Sequence, residues 1–290
     1  MTIRSVGVVG AGVMGSGIAE VCAQHDLEVR LVEASAELVE AGRRRIEGSM
    51  GRGLERGKIT EEERDRARAR LAFGTDLEAL RDADLVIEAI PERLDLKREL
   101  FARVDGIAPA GAVLATNTSA LPVIEIARAT GRPERVIGTH FFNPPPVMQL
   151  LELVRSIDTD EETLETARAF GEGLGKHVIV AQDRGGFIVN LLLIPFLNGA
   201  IRLYESGLAS REDIDAGMRL GCNHPMGPLE LLDHIGLDTA LLVCDALHAE
   251  YATSEYAAPP LLKRMVAAGR LGRKSGRGFY EYPPGPHPAA

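Results

Sequence analysis

Ile3-Arg4-Ser5-Val6-Gly7-Val8-Val9 runs directly into Gly10-Ala11-Gly12-Val13-Met14-Gly15. The first seven residues read as a buried β-strand, and the next six are a G-x-G-x-x-G turn opening a helix over 16–24. The pattern alone is weak; its surroundings give it weight. A second apolar run at 28–32 ends in Glu33, 18 residues past Gly15. In that setting Gly10 permits a tight turn, Gly12 lets the backbone approach a pyrophosphate, and Gly15 lets the helix pack closely on the strand. The pyrophosphate would rest on the N–H groups of the helix start, where Val13 and Met14 lie. Glu33 stands where a carboxylate accepts hydrogen bonds from an adenosine ribose. Ala34 and Ser35 follow it and offer no arginine to a 2′-phosphate, so the motif favours NAD over NADP.

Outward from this unit, short apolar runs alternate with helical patterns. Strands are expected at 3–9, 28–32, 71–74, 84–89, 112–115, 135–140, 148–154 and 177–181, with helices in most gaps, including 95–104. Strand, helix and strand in succession imply an α/β fold, a Rossmann-type, mainly parallel, doubly wound sheet. A charged insertion at 36–70 has the composition of two helices reversing near Gly57-Lys58-Ile59-Thr60, and Thr60 to Glu63 is a capping box for the second. After Asp183-Arg184-Gly185-Gly186 the strand signals stop, which divides the 290 residues into a sheet domain, 1–184, and an all-helical domain, 185–290. The Pro-rich tail from Pro283 is read as frayed.

Composition narrows the function. Thirty-three basic against 42 acidic residues give a net charge of −9, the wrong sign for a nucleic-acid partner held by overall field. Three widely spaced cysteines, Cys22, Cys222 and Cys244, support neither a disulfide framework nor a zinc ribbon, and no metal site is expected. A first strand starting at residue 3 leaves no room for a targeting peptide. The most lipid-like stretch, 187–203, is broken by Asn190, Pro195, Asn198, Gly199 and Arg202, so it reads as a buried core helix and no membrane partner is expected. The expected location is the reducing cytoplasm.

Three polar segments stand out late in the sheet domain: Asn117-Thr118-Ser119, His140-Phe141-Phe142-Asn143-Pro144 and Leu151-Glu152-Leu153. Doubly wound sheets bind ligands outside the carboxyl ends of their strands, where Ser119 and His140 fall. Met148, Leu150, Glu152 and Val154 share one strand face, and a carboxylate in an apolar row needs a partner. His140, across the Pro-rich turn, is the obvious one, and a carboxylate-held imidazole has the fixed tautomer that suits a general base. Each residue also has a bland reading: His140 structural, Glu152 an arginine's partner, Ser119 the cap of a helix from Leu121, Asn190 part of a buried polar network.

The ordered set resembles the 3-hydroxyacyl-CoA dehydrogenase family, most of all its short bacterial 3-hydroxybutyryl-CoA members. The resemblance covers essentially the whole chain. It is carried by Gly10 to Gly15, Glu88-Ala89-Ile90-Pro91-Glu92, the serine and histidine segments above, Gly185-Gly186-Phe187-Ile188-Val189-Asn190, His224-Pro225-Met226-Gly227-Pro228 and Lys274-Ser275-Gly276-Arg277-Gly278-Phe279-Tyr280. It implies that His140 is the base, that Glu152 orients it, and that Ser119 and Asn190 hydrogen-bond the reacting oxygens. It assigns Glu92, Lys97 and Lys274, together with Asn117 and Asn143, to NAD. It makes the helical domain a homodimer interface. Arg45, Ser49, Arg52 and Arg56 are spaced as one helical stripe; the resemblance turns it towards the coenzyme A moiety of an acyl-CoA substrate, with Ser49 and Arg56 at matching positions. Arg56 stands where lysine is expected and Glu33 where aspartate is commoner. Gly48, Gly51 and Gly53 weaken the stripe's helix.

Two other functions compete. A dehydrogenase of free 3-hydroxy acids would carry lysine at Asn190, and a non-catalytic NAD-binding protein would need no buried Glu–His pair. Butyryl, longer and dicarboxylic (adipyl-type) substrates would share one machinery. Cys222 could mark an alcohol-to-acid oxidase, but no surrounding motif supports that, so it is read as packing and His224 as a turn residue.

Overall fold

The computed structural model describes residues 2–283; the tail beyond Pro283 lies outside the described residues. The chain divides into two compact units, Met1–Arg184 and Gly185–Ala290.

In the first unit β1 (Ser5–Val9), β2 (Glu28–Val32), β3 (Leu71–Gly74), β4 (Leu85–Glu88), β5 (Val113–Thr116), β6 (Val136–Phe141), β7 (Leu150–Arg155) and β8 (His177–Gln182) form one sheet. Their order is β3-β2-β1-β4-β5-β6-β7-β8. Neighbours run parallel except β6 and β7, which are antiparallel. Met148 therefore falls outside the strand expected to contain it and is 39% exposed. Around the sheet lie α1 (Val13–Gln24), α2 (Ala36–Glu55), α3 (Glu61–Ala69), α4 (Leu94–Asp105), α5 (Val123–Ala127) and α6 (Glu161–Gly173). The core is apolar on both sheet faces, with Val8, Leu31, Ile87, Ile137 and Leu153 fully buried. That is why these strands read as continuous apolar runs rather than alternating ones.

The strand order switches between β1 and β4, the point at which doubly wound sheets bind ligands beyond the carboxyl ends of their strands. The insertion is the expected hairpin. α2 runs unbroken through its glycines to Glu55, the chain reverses at Gly57 with φ +63°, and Thr60 with Glu63 completes the capping box of α3.

The second unit carries α7 (Val189–Glu205), α8 (Arg211–Cys222), α9 (Pro228–Ile235), α10 (Leu237–Tyr251) and α11 (Pro260–Ala267). α7 is not buried all round: Ile194, Leu197 and Ile201 face the core, whereas Leu192 is 73% exposed. It buries one face and leaves Leu192 and Leu203 exposed on the rest. Among the described residues no helix is long and apolar enough to cross a membrane.

Candidate active site

The glycine turn has the geometry that the motif predicts. Gly10 has φ +105°, and a Cβ there would lie 2.6 Å from the Ala89 carbonyl; one on Gly15 would collide with the carbonyl of Gly10. Gly12 differs, because a Cβ there meets no protein atom within 4 Å. No described residue demands glycine at 12, and the open space there suits the close approach of a ligand. No side chain caps α1, leaving its first turn, with Val13 and Met14, to present N–H groups to an anion. The extra methylene of Glu33 is put to use. One carboxylate oxygen accepts from Ala11 N at 2.8 Å and the other from Ala34 N at 2.7 Å, tying the end of β2 to the turn. These residues fit a dinucleotide.

Directly beyond β4 lies a buried charge cluster. Lys97 on α4, 1% exposed, donates to Glu88 at 2.6 Å and pairs with Glu92 at 3.1 Å. Glu88 also accepts from Thr116 Oγ1 and Ile90 N. Glu92 in turn organises the serine segment, accepting from Thr118 Oγ1 at 2.5 Å and from Ser119 N at 2.8 Å. Burial pushes the Glu88 carboxyl up, against the pull of Lys97. Burial also opposes the Glu92 charge, but Lys97 and the Thr118 and Ser119 donors outweigh it and hold Glu92 below its usual range. Lys97, expected at the cofactor, is thus enclosed as the counter-ion of two carboxylates. Ser119 does not cap a helix at Leu121: α5 starts at Val123, and Asp183 receives the N–H groups of Val123 and Ile124.

Across the β6–β7 pair His140 stands directly opposite Glu152. Nδ1 donates to Glu152 Oε2 at 2.6 Å, with His140 6% and Glu152 0% exposed. Nδ1 carries the hydrogen of that bond, so Nε2 is the nitrogen able to take or give a proton. The Phe142 ring lies 4.5 Å from the imidazole. Asn117 accepts from Phe141 N at 3.0 Å and joins β5 to the end of β6. Asn143 is exposed on the turn that follows. Glu88 and Thr118 lay in the segments singled out in the sequence but without a role, and Thr116 was not singled out. Glu88 carried a signal like that of Glu152, a carboxylate in an apolar strand, at the end of β4 rather than within β7.

The insertion meets the glycine turn. Arg45 donates to the Ala11 carbonyl at 3.1 Å, and Gly42 admits the Ala11 methyl. Ser49 hydrogen-bonds Glu20 on α1, a carboxyl that burial pushes up to about 7 against Ser49, Arg52 and Gln24. Half of the expected stripe therefore turns towards α1, while Arg52 and Arg56 are exposed, Arg56 as the cap just past α2.

Both domain families are recognised in the chain. Residues 5–184 match the 3-hydroxyacyl-CoA dehydrogenase NAD binding domain, and residues 186–282 match its C-terminal domain. The chain belongs to the 3-hydroxyacyl-CoA dehydrogenase family. It is an NAD-dependent enzyme. A 3-hydroxybutyryl-CoA dehydrogenase of Mycobacterium tuberculosis is 51% identical over 97% of this chain and 99% of that protein. The crystal structure of M. tuberculosis FadB2 superposes with a TM-score of 0.96 at 51% identity, covering 98% of this chain and 100% of the other. That of (S)-3-hydroxybutyryl-CoA dehydrogenase PaaH1 from Ralstonia eutropha gives 0.92 at 44%, with coverage of 98% and 100%.

In the second unit of this family member the remaining motifs are tied together by contacts within the unit. Asn190 lies in the first turn of α7, its N–H donating to the Gly186 carbonyl at 3.1 Å. Lys274 pairs with Asp238 at 2.6 Å. Gly227-Pro228 opens α9, whose first N–H groups donate to Asp215. Asp233 receives Phe279 N, Tyr280 N and the Tyr282 hydroxyl, and a Cβ on Gly278 would collide with it. Cys222 is exposed, which corrects its reading as packing: it ends α8 just before a left-handed Asn223 that turns the chain out.

Proposed function

We propose that this enzyme interconverts (3S)-3-hydroxyacyl-CoA and 3-oxoacyl-CoA, with the short-chain pair 3-hydroxybutyryl-CoA and acetoacetyl-CoA as its substrates. The observation that carries this is the His140–Glu152 pair, set in register at the carboxyl edge of β6 beside the Ser119 segment. The names of the relatives support the chain length. Bound NAD supplies the hydride acceptor. In the oxidising direction His140 Nε2 removes the 3-hydroxyl proton, and Glu152 holds the ring and stabilises its cationic form. Ser119, fixed by Glu92, donates to the reacting oxygen, and Asn190 is the second donor assigned to it. In reduction His140 returns the proton. Gly10, Gly12, Gly15, Glu33, Asn117, Asn143 and Lys274 hold the cofactor, and Glu92 and Lys97 support it from behind. Ser49 and Arg56 meet the coenzyme A moiety.

The chain is proposed to act as a cytoplasmic homodimer. Leu192 and Leu203 on α7, Leu220 on α8 and Leu242 on α10 are between 44% and 85% exposed and supply the apolar surface that the helical unit would offer to a second copy. Three free cysteines, one of them exposed, suit a reducing compartment.

The test is reduction of acetoacetyl-CoA by the purified protein, followed by nicotinamide absorbance with NADH and NADPH in parallel. Rapid NADH oxidation is the expected result. A preference for NADPH would overturn the role given to Glu33, and turnover confined to longer or dicarboxylic esters would overturn the chain length. NADH binding without turnover on any ester would leave a non-catalytic binding protein.

A further inference from the structure

The turn between β6 and β7 carries Asn143 and joins His140 to Glu152, yet none of the site residues above holds it. Lys176, the residue before β8, is 8% exposed, and its Nζ donates to the Pro145 carbonyl at 2.6 Å and the Met148 carbonyl at 2.8 Å. Among the described residues no carboxylate pairs with it. Burial lowers its pKa, opposed only by the neighbouring Cys22 thiol. An unpaired buried ammonium is costly, and an apolar side chain of similar volume would fill the space without that cost. What lysine adds is two hydrogen bonds aimed at one turn.

The same turn is gripped on other sides. Pro145 is buried against Gly17 of α1, where a Cβ would lie 2.6 Å from the proline ring. Val147 and Met148 N–H groups donate to the Pro144 carbonyl, and His177 N donates to the Gln149 carbonyl at 2.7 Å. Lys176 and His177 thus secure the middle and the far end of the turn from β8. We infer that Lys176 is a positioning residue for hydride transfer: it fixes the 142–149 turn so that Asn143 and the His140 ring, packed on Phe142, keep their placement against Glu152. The inference rests on the reaction proposed above.

The test compares K176M with wild type by acetoacetyl-CoA kinetics and by hydrogen–deuterium exchange, and wild-type turnover itself checks the reaction separately. K176M is expected to keep its thermal midpoint while kcat falls roughly tenfold to a hundredfold and KM for NADH, which Asn143 helps to hold, rises, with KM for acetoacetyl-CoA unchanged. Exchange should rise in peptides covering 142–149 and stay constant in β1 and α1. K176R, which keeps charge and donors, should recover part of kcat. If K176M does not fold, K176Q serves the same comparison. Wild-type kcat and exchange in the variant, or a kcat loss that follows the thermal midpoint and is not relieved in K176R, would overturn the inference. Should wild type itself be inactive, the reaction fails first, and the exchange data alone decide whether Lys176 holds the turn.

Discussion

His140 and Gly12 separate two kinds of necessity at the level of single residues. His140 is held by the protein and used on a substrate; removing its proton transfer in H140Q is expected to lower kcat by about 10²–10⁴ without changing NADH affinity. Stopped-flow single turnovers would check this, and unchanged turnover would remove His140 from the mechanism. Gly12 faces open space, whereas Gly15 faces the carbonyl of Gly10. G12A should therefore fold with a wild-type thermal midpoint and bind NADH more weakly, while G15A should lose stability before binding can be measured. Calorimetry together with NADH fluorescence titration separates the two. The His140–Glu152 pair was legible in sequence because a carboxylate in an apolar strand demands a partner within reach. The Glu92–Ser119 hold was not: it spans 27 residues and two loops, and no periodicity links them.

Among elements, α1 and α2 are joined through a group that titrates near neutrality. Glu20 on α1 is buried, takes hydrogen bonds from Ser49 and Gln24, and feels Arg52. Its folded pKa of about 7 lies above its ordinary value of 4.5. The folded state then binds the proton more tightly than the unfolded state, so stability falls as pH rises between those values. The loss runs through about pH 7, levels off at about pH 8 and amounts to about 3 kcal/mol. The thermal midpoint of E20Q should match wild type near pH 4.5 and exceed it increasingly towards about pH 8. A gap constant across that range would show that Glu20 does not titrate on folding. The hairpin of α2 and α3 was legible in outline from its capping box and turn glycine. The inward side of its arginine stripe was not, since a spacing of three and four places residues on one helical face without saying which neighbour that face meets.

At the scale of the molecule, the exposed leucines of α7, α8 and α10 predict a particle of twice 31.2 kDa by light scattering, and L220E should shift it towards the monomer. A dimer that ignores L220E would place the contact elsewhere. The sheet was legible nearly strand by strand, because a doubly covered sheet leaves long apolar runs. Cys222 was not, since a residue's neighbours in sequence do not report its exposure. The antiparallel pairing of β6 with β7 carries a different message. His140 and Glu152 meet because the connecting turn returns the chain with a fixed count. Inserting or deleting a single residue there would send Glu152 to the opposite face of the sheet. Exposed turns generally accept length changes freely, but this one acts as a ruler, and among variants of this chain its length should prove harder to alter than most of its residues.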